Sequence, residues 1–277
     1  MDTRRDGEAT GPRAGGTTTV VLVHGAFHDG SCWQRVVPLL AARGLGVSVP
    51  TLTGAGERAH LLSPQVRLAT HVEDVVAHLR HAGLGRVVLV GHSYAGLVVR
   101  EAADRVPEQV AAVALIDAWV GGDGASLASL APPWFVDALR RATEQDGFGW
   151  LCPPPSPDLV GVTDPDDVAW LAPRLGPHPF RTFVDATRLT GRVDGVPHHA
   201  AVCAEGLGLP FAALAAGVGC PEPTVLPSGH DAMVTAPAAV ADFVAGVAGT
   251  AEVEVDEAAA STAGTTTSRA AGAAALP

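Results

Sequence analysis

Short runs of β-branched and aliphatic residues alternate along this chain with stretches whose apolar positions recur every three or four residues. Thr19 to His24 (TVVLVH) is apolar almost throughout and stops at Gly25, as a strand buried on both faces does. Ser31 to Arg43 then places Val36, Leu39 and Leu40 on one helical stripe and ends at Gly44, a favourable left-handed C-cap. Gly46 to Thr51 (GVSVPT) reads as a second strand, and Thr53 to Ala69 as a long polar loop. Thr70 with Glu73 forms a capping box ahead of Val72, Val75, Val76 and Leu79, which predicts a helix running to Gly83. Arg86 to Gly91 is a third strand, Tyr94 to Val106 a helix stopped by Pro107, and Val110 to Ile116 a fourth strand. This alternation predicts an α/β fold built on a doubly wound, mostly parallel sheet.

From Ala118 to about Pro179 the alternation breaks. Pro132, Pro133 and Pro153 to Pro155 interrupt short amphipathic pieces, so residues 118–180 are expected to form a mainly helical cap inserted into the sheet domain. The pattern resumes with strands at Thr182 to Ala186 (TFVDA) and Thr224 to Leu226, then a helix entered at Pro237 and continuing to Val247. Arg192 to Gly219 carries no strand signal, although Phe211 to Ala216 has helical character. Residues 1–16 and 250–277 lack periodicity and are expected to be disordered tails around one domain over 17–249.

Composition narrows the classes of partner. An apolar share of 47% is enough for a sizeable core in one unit. The 18 basic residues are all Arg, and against 29 acids they leave a net charge of -11, which argues against nucleic acid or an anionic membrane as partner. A hydrophobic small molecule is the expected partner, and the oligomeric state stays open, a homodimer included. Cys32, Cys152, Cys203 and Cys220 form no C-x-x-C pair, so neither a zinc site nor a disulfide framework is encoded. Free thiols and the lack of an apolar signal core after Arg4-Arg5 lead to the expectation of a cytoplasmic protein.

The strongest chemical signal is VVLVGHSYAG, which sets Ser93 between a strand and a helix within G-x-S-x-A-G. That is the context of a nucleophile elbow, whose sharp turn demands small residues at Gly91 and Ala95; Ala95 replaces the usual glycine, with Gly96 beside it. A serine hydroxyl needs a base within reach, and His230 in SGHDAM, between the last strand and the last helix, occupies the right place in chain order. His60, His71, His78 and His81 read as solvated helix or loop positions, and His198-His199 lacks further ligands for a metal. An oxyanion hole requires backbone amides from the residue after the nucleophile and from the first β-α loop, here Tyr94 and Ala26.

Together VLVHGAFHDGSCW, VPTLTGAGER, VLVGHSYAG, LIDAWV and SGHDAM resemble the α/β-hydrolase superfamily, nearest to its small esterase and hydroxynitrile-lyase-like branch. The resemblance spans about Thr19 to Ala248 and is weakest from Asp123 to Thr224. It implies the α/β-hydrolase fold and a serine, histidine and acid enzyme without cofactor or metal, acting most often on esters. The loop after TFVDA, where the superfamily often places its acid, reads TRLTGRVDG with no acid at the expected place. The superfamily's alternative position, at the end of the strand beyond the elbow strand, holds Asp117, which is favoured, with Asp185 and Asp194 as alternatives on chain order, while Asp231 reads as a cap of the following helix.

Phe27, Trp33, Trp119 and Trp134 are expected to line an apolar substrate pocket, with Tyr94, Phe135 and Trp150 nearby. Glu57 and Arg58 read as an ion pair or a solvated turn near its mouth. The leading expectation is a hydrolase cleaving a carboxylic ester, a methyl ester or lactone among the options, through an acyl-enzyme. Two rivals accompany it: a cofactor-free lyase, dehydratase or cyclase of small-molecule biosynthesis on the same site, and a non-catalytic small-molecule binder.

Overall fold

The computed structural model describes residues 18–205 and 207–251. The expected tails lie outside the described residues, except that 250 and 251 continue the last helix. The strands β1 (Thr19–Val23), β2 (Gly46–Ser48), β3 (Val87–His92) and β4 (Val110–Ile116) follow the predicted order. Between them lie α1 (Val37–Ala41), α2 (Leu68–His81) and α3 (Ala95–Arg105). After β4 come α4 (Leu127–Leu130), α5 (Pro133–Asp146), the short strand β5 (Leu151–Cys152), α6 (Pro165–Leu171), its antiparallel partner β6 (His178–Pro179) and α7 (Arg181–Val184). The sheet resumes with β7 (His198–Cys203), α8 (Phe211–Gly217), β8 (Thr224–Leu226), α9 (Ala232–Thr235) and α10 over 237–251.

Six parallel strands form the main sheet in the order β2-β1-β3-β4-β7-β8. Strand alternation divides the core in two. Val21, Val23, Leu89, Val113 and Leu115 face α2 and α3, whereas Val20, Leu22, Val88, Val90 and Ala114 face Leu40 of α1 and Val240, Val244 and Ala248 of α10. The chain leaves β1 toward β2 and then crosses to β3 on the other side. The carboxyl ends of β1 and β3 therefore border the crevice where ligands bind in open α/β sheets.

Four elements differ from expectation. Thr182–Ala186 is not a strand: Thr182 Oγ1 donates to the Pro179 carbonyl at 2.8 Å and starts the helical turn α7, which buries Phe183. The strand that rejoins the sheet is β7, where His and Ala stand at positions that usually advertise themselves with Val or Ile. Residues 31–43 form a 3₁₀ turn (Gly30–Trp33) and the short α1, with Pro38 at its start, instead of one helix. In α2 the helix begins at Leu68, so Thr70 lies one turn in, its hydroxyl accepting from the Arg67 amide, and Glu73 pairs with Arg105. Among the described residues no helix is long and apolar enough to cross a membrane.

Candidate active site

Ser93 stands at the turn between β3 and α3 with φ 53°, a left-handed conformation that costs a non-glycine residue of order 1–3 kcal/mol and persists only where its surroundings hold it. The hold is visible. Its amide donates to the Ile116 carbonyl at 3.1 Å, and its own carbonyl accepts from the amides of Gly96 and Trp119, both at 3.0 Å. Gly96 permits this closeness, since a Cβ there would come within 2.4 Å of the Trp119 carbonyl oxygen. Ala95 is fully buried and accommodated.

The structure brings three of the anticipated residues together. The Ser93 hydroxyl lies 2.9 Å from His230 Nε2, and His230 Nδ1 donates to Asp117 Oδ2 at 2.7 Å. Asp117 also has a positive φ, 44°, a region that Asp enters more easily than most side chains. Its amide donates to the Ala201 carbonyl of β7, and its Oδ1 accepts from the Cys203 amide at 3.0 Å. Both carboxylate oxygens are thus occupied, one steering the imidazole. Asp185 and Asp194 are engaged elsewhere: Arg67 donates to both oxygens of Asp185, and Arg100 holds Asp194 at 2.9 Å.

The Ala26 and Tyr94 amides have no internal acceptor among the described residues. His24 bears on the first. Its Nδ1 donates to the Gly25 carbonyl at 2.8 Å while its Nε2 accepts from the Leu52 amide, so the ring is neutral with the proton on Nδ1. The Gly25 carbonyl and the Ala26 N–H share one trans peptide plane and point oppositely, so this bond also orients the Ala26 amide. Burial pushes the His24 pKa down to about 4 and keeps that tautomer neutral.

Below His230 lies His92, whose Nε2 donates to the His230 carbonyl at 3.0 Å; burial, with His230 adjoining, pushes its pKa down to about 3. Asp231 does not cap α9. It is wholly buried, and its Oδ2 accepts from His28 Nε2 at 2.9 Å. His92, His230 and Asp231 place ligand-type atoms within 4.8 Å of one another, but both His230 nitrogens already face Asp117 and Ser93, so the trio is no free metal-ligand set.

Aromatic rings wall the site. Phe211 stacks on His230 with centroids 5.5 Å apart, Trp119 meets Phe211 edge-on at 4.9 Å, and Phe135 lies against Trp119. Opposite them, His178 stacks on Phe183 at 4.9 Å and adjoins Tyr94 and Phe27. Trp33 is elsewhere: it is fully buried on the α1 and α10 face of the sheet, beneath His92, and cannot line the pocket. Trp134 projects from α5 and is 57% exposed. His71 is buried, not solvated; its Nε2 donates to the Thr53 carbonyl and its Nδ1 accepts from the Tyr94 hydroxyl. Arg58 pairs with Asp74 at 2.9 Å, and Glu57 accepts from Thr51.

A cavity of about 300 Å³ is lined by Phe27, His28, His71, His178 and the 52–56 loop. None of Ser93, His230 and Asp117 lines it; Phe27, which does, packs against Phe183. Phe183, Phe211 and His178 escaped the sequence reading, because their contacts join segments far apart in the chain.

A family model described as the alpha/beta hydrolase family matches residues 20–243. This chain belongs to that family. It is 33% identical over 237 residues to a carbendazim hydrolyzing esterase of Nocardioides sp. (strain SG-4G), covering 81% of this chain and 97% of that one. Methylesterase 2 of Arabidopsis thaliana is 31% identical over 133 residues, 47% of this chain and 48% of that one. An extracellular alpha/beta-hydrolase from a Paenibacillus species superposes with a TM-score of 0.75 at 19% identity, over 83% of this chain and 98% of that one, and shares the fold. The chain is accordingly a hydrolase-type enzyme of this family.

Proposed function

We propose that this chain hydrolyses a carboxylic ester of a hydrophobic small molecule through an acyl-enzyme on Ser93. The observation that carries the reading is the continuous relay from Ser93 Oγ through His230 to Asp117, at 2.9 and 2.7 Å. Ester hydrolysis is also the activity named for the carbendazim hydrolyzing esterase and the plant methylesterase.

Ser93 Oγ attacks the ester carbonyl carbon as its proton passes to His230 Nε2. Asp117 holds the imidazole by Nδ1 and stabilises the imidazolium. The amides of Ala26 and Tyr94 receive the developing oxyanion. Collapse of the tetrahedral intermediate expels the alcohol, which takes the proton back from His230 and leaves the acyl group on Ser93. Water, deprotonated by His230, attacks that ester; the acid departs and Ser93 regains its proton. The rings of Phe27, Phe183, Phe211 and Trp119 support an apolar acyl or alcohol part.

The test is fluorophosphonate labelling read by intact mass, together with turnover of p-nitrophenyl acetate and butyrate, for wild type and Ser93→Ala. One adduct per chain and turnover, both lost in Ser93→Ala, is the expected result. A folded wild type with neither adduct nor Ser93-dependent turnover overturns the acyl-enzyme and favours the lyase or binder readings.

A further inference from the structure

His28 takes no part in the relay, yet it bridges the two loops that carry the reacting groups. Its Nδ1 lies 2.8 Å from the Ala26 carbonyl and its Nε2 lies 2.9 Å from Asp231 Oδ2. Both partners are acceptors, a carbonyl and a carboxylate, so each ring nitrogen carries a proton and the ring is an imidazolium. The charge is enclosed: His28 is 5% exposed and Asp231 is not exposed at all. One end of the bridge is Ala26, the amide donor of the first loop. The other is the residue that directly follows His230.

We propose that His28 and Asp231 are a positioning pair, a buried ionic strap that keeps the oxyanion loop in register with the histidine base. The inference rests on the roles given above to Ala26 and His230. The His28 to Ala26 bond sets the peptide plane after the donor amide, as His24 sets the plane that contains it, so two successive planes are clamped. The clamp from His24 ends on the Leu52 amide, within the β1 and β2 side of the fold. Only the clamp from His28 crosses to the β8 side, where the base resides. From beneath, His92 grips the His230 carbonyl, and the Asp231 amide donates to the Val160 carbonyl at 3.0 Å, so the strap adds the side-chain tie between this loop and the Ala26 loop to a backbone already held.

Four titratable groups face the His28 ring. Asp231 and Asp29 favour its charge, and His24 and His92 are neutral neighbours. Burial works against the proton, but Asp231, the Ala26 carbonyl and Asp29 outweigh it and hold His28 above the ordinary imidazole value. Burial likewise opposes the carboxylate, and His28 reverses this, keeping Asp231 below its ordinary value. A broken strap leaves one charge enclosed without its counter-ion, so each member depends on the other.

The experiment compares wild type, His28→Gln, Asp231→Asn and the double variant. It measures kcat and KM for p-nitrophenyl butyrate, with kcat taken per Ser93 titrated by fluorophosphonate and folding checked by circular dichroism. Each single substitution should lower kcat on the order of 100-fold, the scale of a small misplacement at a reacting centre, with KM near wild type. The double variant should be no worse than the poorer single one, because one strap is broken once. Unchanged kcat per titrated site in folded variants overturns the pair's role, even if thermal stability drops. If the variants do not fold, ¹⁵N spectra of the wild-type histidines decide: His28 should show two protonated ring nitrogens at pH values above about 6.5, where free imidazole is mostly neutral, and a neutral ring overturns the strap. A wild type that forms no Ser93 adduct overturns the acyl-enzyme reading itself, and the inference falls with it.

Discussion

The carboxyl edge of the sheet and the segment between β4 and β7 contribute to the same site by different means. At the edge, each residue of the relay is gripped by backbone or by a buried hydrogen bond: Ser93 by three main-chain bonds, Asp117 by Ala201 and Cys203, His230 by Asp117 and His92. The inserted segment turns ring faces toward the relay, those of Phe135, His178 and Phe183, which carry no hydrogen bond to it; its backbone bonds to the flanking loops, the Gly176 amide to the Phe27 carbonyl and the Val160 carbonyl to the Asp231 amide. A hydrogen bond fixes direction to tenths of an ångström, whereas a ring contact excludes water and tolerates exchange of shape. The edge is therefore suited to set the chemistry and the insert to select the substrate.

The largest test of this division is the carboxylates. Asp117→Asn should reduce kcat/KM for p-nitrophenyl butyrate by about 10⁴-fold, as loss of the imidazole-orienting acid does in serine triads. Asp185→Asn and Asp194→Asn should stay near wild type, and a collapse of either would move the acid into the inserted segment and break the comparison. Next in size is acid stability. Burial holds His24, His92, His71 and His178 below the ordinary imidazole value, so the unfolded chain binds protons that the folded one refuses. Stability is present above about pH 6.5 and falls as pH drops toward the folded values, by up to about 1.4 kcal/mol per pH unit for each group. Chemical denaturation at pH 7 and pH 5 measures the loss; equal stabilities would contradict four neutral buried imidazoles.

Gly96→Ala should cost about 1–3 kcal/mol, because the new methyl meets the Trp119 carbonyl and the Ala118 side chain. Its effect on kcat should exceed that of an equally destabilising core substitution, since the carbonyl of Ser93 is held at the same place. The smallest effect is expected across the insert. Phe183→Leu should shift the acetate to butyrate preference by about tenfold while leaving the better kcat near wild type. A loss of kcat for both esters would place chemistry, not selection, in the aromatic wall.

Much of this was legible in the chain. The β1 to β4 run and the elbow were readable because β1, β3 and β4 are nearly continuous apolar runs and Gly or Pro punctuates the connections between them. Ser93, His230 and Asp117 could be proposed from motif and order, although only the fold brings residues 93, 117 and 230 within hydrogen-bonding distance. β7 was hidden because His198, His199, Ala200 and Ala201 have weak strand preference, and pairing with β4 and β8 on both sides compensates. Thr182–Ala186 misled in the opposite sense: β-branched residues suggested a strand, and a side-chain bond to Pro179 with burial of Phe183 made a helical turn.

By itself the sequence determined the local periods and the elbow turn, which depend on neighbours a few residues apart, and the chain order of Ser93, Asp117 and His230. The tertiary structure alone decided which acid hydrogen-bonds His230, that Asp231 serves His28 and not a helix cap, that Trp33 packs beneath the sheet, and that Phe211 stacks on His230. Those outcomes hang on contacts between residues separated by as many as 203 positions, and no local pattern encodes which of several equal side chains will arrive there.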